Sequence, residues 1–186
     1  MTTQQKIALS AGAGLALLLF LAFLGRKQLL AAHHEAHINE LHPAVQDRFR
    51  ELIAAVESSG YNEVITSGYR TFEKQAALYK ENPANAQPGR SAHNYGLALD
   101  INLQQGVNLW RKASAKAAWE QTGVPAIAKR LGFRWGGDFT SSYDPVHVDV
   151  LPSATAAAYM DRLYRQAQAQ FGSDLSNMQG NRITLV

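Results

Sequence analysis

The chain has 186 residues, 46% of them hydrophobic, enough for one domain with a sizeable core and accessory ends. A net charge of +3, with no basic stripe interleaved with aromatics, carries no nucleic-acid signature; at most it favours an anionic partner such as a cell wall. The absence of cysteine excludes disulfides and thiolate chemistry, and leaves imidazole and carboxylate as the strong ligands for a metal.

Residues 7–25 form an uncharged run of Leu, Ala, Phe and Gly, preceded by Lys6 and followed by Arg26 and Lys27. At about 1.5 Å per residue it nearly spans a hydrocarbon core about 30 Å thick. It is long for a signal-peptide core of about 7–15 residues, and no Ala-x-Ala site follows it. Residues 1–25 are therefore read as a membrane anchor, with a cleaved signal or a buried helix as alternatives. The flanking charges nearly tie and do not fix orientation. The half rich in small residues (Ala8, Ala11, Gly12, Ala13, Gly14, Ala16) is only moderately hydrophobic, so release from the membrane is also conceivable.

Residues 26–42 are polar and hold His33, His34, His37 and His42. They read as a juxtamembrane helix or linker rather than a second metal site. A domain over 43–171 follows. Pro43 opens a helix whose apolar face is Val45, Phe49, Leu52, Ile53 and Val56, closed by Gly60. Glu63–Ser67 reads as a strand running into Gly68-Tyr69-Arg70. Thr71 then caps a helix to about Lys80. Residues 82–90 form a loop, and Leu97–Ile101 a strand. A helix over 113–131 breaks at Gly123-Val124-Pro125. Phe133–Trp135 and His147–Val150 read as strands around a Gly-rich loop. Pro152 starts a last helix to Phe171, and 172–186 is a polar tail expected to be loosely held.

Beyond the four N-terminal histidines the chain has only His93 and His147. His93 stands seven positions before Asp100. On a straight strand this odd spacing puts the two on opposite faces, so they converge only if Asn94-Tyr95-Gly96 turns the chain. His147 joins them if its strand pairs with that of Asp100. Two imidazoles and one carboxylate are the donor set of a catalytic zinc site, which keeps a position for water. The plainer reading of any one of them is a buried polar group bonded to backbone. Asp144, three residues before His147, is placed to handle the proton of that water. Asp149 shares the strand face of His147 and reads as a supporting or further polar residue; Asp138 reads as a loop or capping residue. Arg70 suits a substrate carboxylate or an oxyanion as readily as a surface ion pair. Ser91 either bonds substrate or caps the turn, and Gln75 either supports Arg70 or faces solvent. Trp110, Trp119 and Trp135 read as core.

Ser67-Gly68-Tyr69-Arg70, Gln75-Ala76-Ala77-Leu78-Tyr79, the stretch from Ser91 to Asp100, Trp135-Gly136-Gly137-Asp138-Phe139 and Asp144-Pro145-Val146-His147 occur in that order. Over about residues 41–150 they resemble the zinc peptidases of the VanY and endolysin type, which comprise D-alanyl-D-alanine carboxypeptidases and L-alanyl-D-glutamate peptidases. The resemblance implies an α+β fold with a small antiparallel sheet, flanking helices and zinc held by His93, Asp100 and His147. It implies Asp144 as acid/base and Arg70 for substrate or oxyanion. Val148 follows His147 where an aromatic is common, a departure that touches substrate detail rather than the ligands. The expected function is cleavage of peptidoglycan stem peptides, at the L-Ala–D-Glu bond or as a carboxypeptidase, by a domain on the extracytoplasmic side. A wall-binding module without hydrolysis, or a lysis protein whose apolar helix is the active part, are the readings of other classes.

Overall fold

The computed structural model describes residue 22 and residues 24–172 and 180–185. The expected anchor at 7–25 lies almost wholly outside the described residues, and among the described residues no helix is long and apolar enough to cross a membrane. The chain divides after Glu35. Of the part before that division, residues 24–35 are helical. The unit Ala36–Val186 carries the sheet and the site. It is wider than the expected 43–171, because Ile38, Leu41 and Ile183 all lie in its core.

A 3-10 turn at Pro43–Val45 is capped by His42, whose Nδ1 accepts from the Ala44 amide at 3.1 Å. Helix α1, Gln46–Ser58, buries Phe49, Leu52, Ile53 and Val56, the face its periodicity predicts. It packs on strand β1, Asn62–Ser67. Thr71 caps helix α2, Phe72–Glu81, by accepting from the Lys74 amide at 3.1 Å.

Strand β2, Ala98–Gln105, pairs antiparallel with β1 and sits centrally in the sheet. Its burial alternates: Leu99, Ile101 and Leu103 enter the core while Asp100 and Asn102 face the other way. The far half of β2 pairs with β3, Asn108–Trp110, a hairpin strand the sequence reading missed. Helices α3, Lys116–Gln121, and α4, Val124–Arg130, form the broken helical segment. The break falls at the left-handed Gly123, within the expected Gly123-Val124-Pro125, and Pro125 lies in the first turn of α4. Strands β4, Arg134–Trp135, and β5, His147–Asp149, complete an antiparallel sheet of order β1-β2-β5-β4. Helix α5, Ala156–Phe171, begins after a turn at Pro152–Thr155.

Residues 180–185, the described end of the tail, are held more firmly than expected. Residues 180–182 form a turn, Ile183 is buried, and the Ile183 carbonyl bonds His42 Nε2 at 2.8 Å. Asn181 donates to the Glu40 carbonyl at 2.6 Å. Ile183, with Leu185 packed beside the core, supplies an anchor that the segment's mostly polar composition averages away. The fold is thus the expected α+β arrangement, a small antiparallel sheet with flanking helices.

Candidate metal centre and active site

Three short pieces of chain meet at the polar end of β2. Residues Ala92–Tyr95 make a 3-10 turn that ends at Gly96, whose φ of +64° takes the left-handed conformation. An added Cβ at Gly96 would run into the backbone of Leu41 and His42, so a side chain there is excluded twice over. This is the turn that lets His93 and Asp100 converge despite their odd spacing. His147 is the register partner of Asp100 across the β2–β5 pair.

The three side chains present their donor atoms to one another. His93 Nε2 lies 3.1 Å from Asp100 Oδ1, His147 Nδ1 lies 3.1 Å from the same oxygen, and the two nitrogens are 3.2 Å apart. A tetrahedral ion with bonds of about 2.0–2.1 Å separates neighbouring donors by about 3.3 Å, so this triangle matches one face of such a site. The hydrogen bonds behind the rings point the same way. His93 Nδ1 donates to the Gly68 carbonyl at 2.7 Å, which leaves Nε2 bare in the neutral ring. His147 Nε2 donates to Asp149 Oδ2 at 3.0 Å, which leaves Nδ1 bare. Two lone pairs and a carboxylate oxygen therefore converge where only a cation or a proton relieves them.

The electrostatics express that competition. Burial lowers the basicity of His147, but hydrogen bonds and charge from Asp100 and Asp149 outweigh it and raise its pKa to about 9. Burial raises the Asp100 pKa, but His93 and His147 more than offset this and hold the carboxyl well below its usual range. The carboxylate is thus ionised, and positive charge is favoured beside it.

Arg70 lies next to this triad. Its Nη2 is 3.5 Å from Asp100 Oδ2 and 2.8 Å from Ser67 Oγ, while Nη1 donates to Gln75 Oε1 at 2.8 Å. Gln75 is itself fixed by donating to the Ala86 carbonyl at 2.6 Å. Burial pulls the Arg70 pKa down, and the charges of Asp100 and Asp144 resist it. Asp144 stands on the loop before β5, in a turn closed by the His147 amide on its carbonyl at 3.1 Å. One carboxylate oxygen, Oδ2, accepts from Lys112 Nζ at 3.1 Å. The other, Oδ1, is buried without a hydrogen-bond partner, which fits an oxygen kept for a substrate proton.

The Trp-Gly-Gly segment explains how that loop comes so close. Trp135 Nε1 donates to the Pro145 carbonyl at 2.8 Å, and the Asp144 amide donates to the Gly136 carbonyl at 3.0 Å. A Cβ on Gly136 would overlap the Asp144 carbonyl and lie 2.9 Å from the His147 Cβ. Only glycine allows this approach. Asp138 takes the structural part expected of it, bonding Lys116 and Lys129 at 2.8 and 2.9 Å.

All seven sequence-derived candidates, Arg70, Gln75, Ser91, His93, Asp100, Asp144 and His147, line one groove of about 970 Å³. Ser91 makes no side-chain cap bond, so its position in the groove remains its distinguishing feature. Trp119 and Trp135 are core, as expected, and Trp110 is half-buried. Lys112, Arg134 and Phe139, also in the groove, escaped the sequence reading. Only Phe139 carried a signal, as the last residue of the Trp135-Gly136-Gly137-Asp138-Phe139 motif.

The match to the peptidase M15 family model described as D-alanyl-D-alanine carboxypeptidase covers residues 84–150. The chain is 37% identical over 129 residues to the peptidoglycan L-alanyl-D-glutamate endopeptidase CwlK of Bacillus subtilis, covering 62% of this chain and 76% of that protein. It is 34% identical over 114 residues to the L-alanyl-D-glutamate peptidase of Listeria phage A118, covering 61% of this chain but 39% of the phage protein. The fold is shared with the Serratia marcescens L-Ala D-Glu endopeptidase ChiX, at a TM-score of 0.50 and 21% identity over 68% of this chain and 92% of that one. With the relative matched over three quarters of its length, the conclusion is direct: the chain belongs to the M15 family of metallopeptidases.

Proposed function

We infer that this protein is a zinc-dependent peptidase that hydrolyses the stem peptides of bacterial peptidoglycan, at the bond between L-Ala and D-Glu. The observation that carries the reading is the convergence of three donor atoms, His93 Nε2, Asp100 Oδ1 and His147 Nδ1, beside a carboxylate oxygen of Asp144 without a partner. The donors fit zinc in number, type and spacing. Bound there, zinc supplies Lewis-acid polarisation and a water acidified towards a pKa of about 7.

The chain's own residues do the rest. Asp144 Oδ1 accepts the proton of the attacking water and returns it to the leaving amine. The Arg70 guanidinium, fixed by Gln75 and Ser67, faces the negative charge that grows on the substrate carbonyl oxygen. Ser91 offers a hydroxyl to the substrate backbone within the same groove. Lys112 holds the second oxygen of Asp144 and so keeps the first turned towards the reaction.

The bond is assigned from the relatives whose names specify L-alanyl-D-glutamate cleavage. Removal of a terminal D-Ala is the second reading, favoured by the description of the family model. For location, the uncharged run at 7–25 supports anchorage, and a peptidoglycan substrate requires the peptidase on the wall side of the membrane. The test is mass spectrometry of purified peptidoglycan treated with the full chain and zinc, with Asp144→Ala as control. New N-terminal D-Glu on the stem supports the assignment, and free D-Ala moves it to the carboxypeptidase. Bound zinc without products from several wall types leaves a non-catalytic wall-binding module.

A further inference from the structure

Behind His147 lies a closed set of contacts that the reaction above does not use. Asp149 is fully buried, and both of its oxygens are saturated. Oδ1 accepts from Arg134 Nε at 2.8 Å and from the Leu151 amide at 2.9 Å. Oδ2 accepts from Arg134 Nη2 at 2.7 Å and from His147 Nε2 at 3.0 Å. The Arg134 guanidinium in turn lies 5.0 Å from the centre of the Phe139 ring, and that ring lies 5.7 Å from the His147 ring. Arg134 thus grips both groups that flank the imidazole, one through a two-pronged ion pair and one through its face.

A carboxylate alone behind a ligand histidine would fix which nitrogen carries the proton. It would not fix its own rotation. The guanidinium fork does that, since its two parallel N–H groups match the two oxygens and leave the carboxylate no freedom to turn. Arg134 and Asp149 are register partners across the β4–β5 pair, so the backbone sets their distance as well. Lys112, at the other side of the site, has no such geometry: it is an exposed ammonium on a single oxygen.

We propose that Arg134 is a positioning residue for the metal centre, which locks the His147 ring through Asp149 and Phe139 so that Nδ1 faces the ion. Its role rests on the metal reading of the site given above. A residue of purely structural importance would change the unfolding temperature of the metal-free protein. A positioning residue changes metal affinity and ligand-field geometry in protein that is still folded.

The experiment compares the full chain with Arg134→Lys, Arg134→Gln and Phe139→Leu. Zinc affinity is measured by competition with a chromogenic chelator well below the unfolding temperature, and the visible spectrum is recorded with Co(II) as probe. Arg134→Lys keeps the charge against buried Asp149 and so protects the fold, yet loses the fork. The expected result is weakening of zinc binding by about 10–100-fold in Arg134→Lys and Arg134→Gln. A changed Co(II) spectrum accompanies it, and Phe139→Leu gives a smaller loss in the same direction. Zinc affinity within twofold of the parent in Arg134→Lys, with an unaltered Co(II) spectrum, overturns the proposal. Failure of the parent itself to bind zinc, or binding that survives His147→Ala, overturns the metal reading instead.

Discussion

The two faces of β2 obey different rules. On one, Leu99, Ile101 and Leu103 are buried at 0–1% exposure in a core with Phe49, Leu52 and Val56 of α1. Their contribution is non-directional, about 1.5–3 kcal/mol for each side chain removed from water, and any apolar side chain of similar volume supplies most of it. On the other face, Asp100 has one oxygen towards His93 and His147 and the other towards Arg70. There each atom has specific partners, and a shift of about 1 Å undoes the arrangement. Adjacent residues of one strand thus divide between a face that holds the fold and a face that holds the chemistry. Damage to one should leave the other measurable.

The largest separation is expected at Asp144. Asp144→Asn keeps the size of the side chain and its place in the loop but loses the base. Turnover of stem peptide should fall by about 10²–10⁴-fold while zinc content and unfolding temperature stay near those of the parent. A fall below twofold would place the proton transfer on another residue. On the apolar face, Leu103→Ala should cost about 2–5 kcal/mol in denaturant unfolding. Its kcat at temperatures where the variant is folded should remain within about twofold of the parent. A large loss of kcat there would show that the two faces are not separable.

The polar face should also respond to pH in a way the apolar face does not. The His147 pKa is raised from 6.5 to about 9 by Asp100 and Asp149, against the effect of burial. The proton therefore stabilises the metal-free fold fully below pH 6.5, and that stabilisation is lost as pH rises through about 9. Metal must expel the same proton. Calorimetry at pH 7.5 in buffers of different ionisation enthalpy should report about one proton released per zinc bound, declining above pH 9. Release of no proton contradicts the placement of that proton on His147. The smallest effect belongs to the exposed helix cap that follows Arg70. Thr71→Ala removes the N-cap of α2 and should cost about 1 kcal/mol, read by thermal unfolding.

The same division governs what the sequence discloses. The apolar face of α1 was legible from periodicity, because a helix packed on a sheet needs only repeated hydrophobic positions. The convergence of His93, Asp100 and His147 was legible from residue types and one turn signal, because His93 and His147 are the only histidines beyond the N-terminal four. The β3 hairpin strand was not legible: Val107 and Leu109 are exposed, so Asn108–Trp110 shows no buried alternation. Nor were the core positions Ile38, Leu41 and Ile183, which lie in short, mostly polar stretches without an extended apolar period. Lys112 and Arg134 were hidden for another reason. Their roles depend on which residue stands opposite them in space, on a loop for Lys112 and across a strand pair for Arg134.

At the centre of the polar face three donors need a cation between them. The most direct measurement is the zinc content and zinc affinity of the full chain beside His93→Ala, Asp100→Ala and His147→Ala, by elemental analysis and chelator competition. One zinc per chain, lost or weakened by at least about 10²-fold in each variant, is the predicted result. A chain that takes up no zinc, or that binds it equally well without any one of the three, would contradict it.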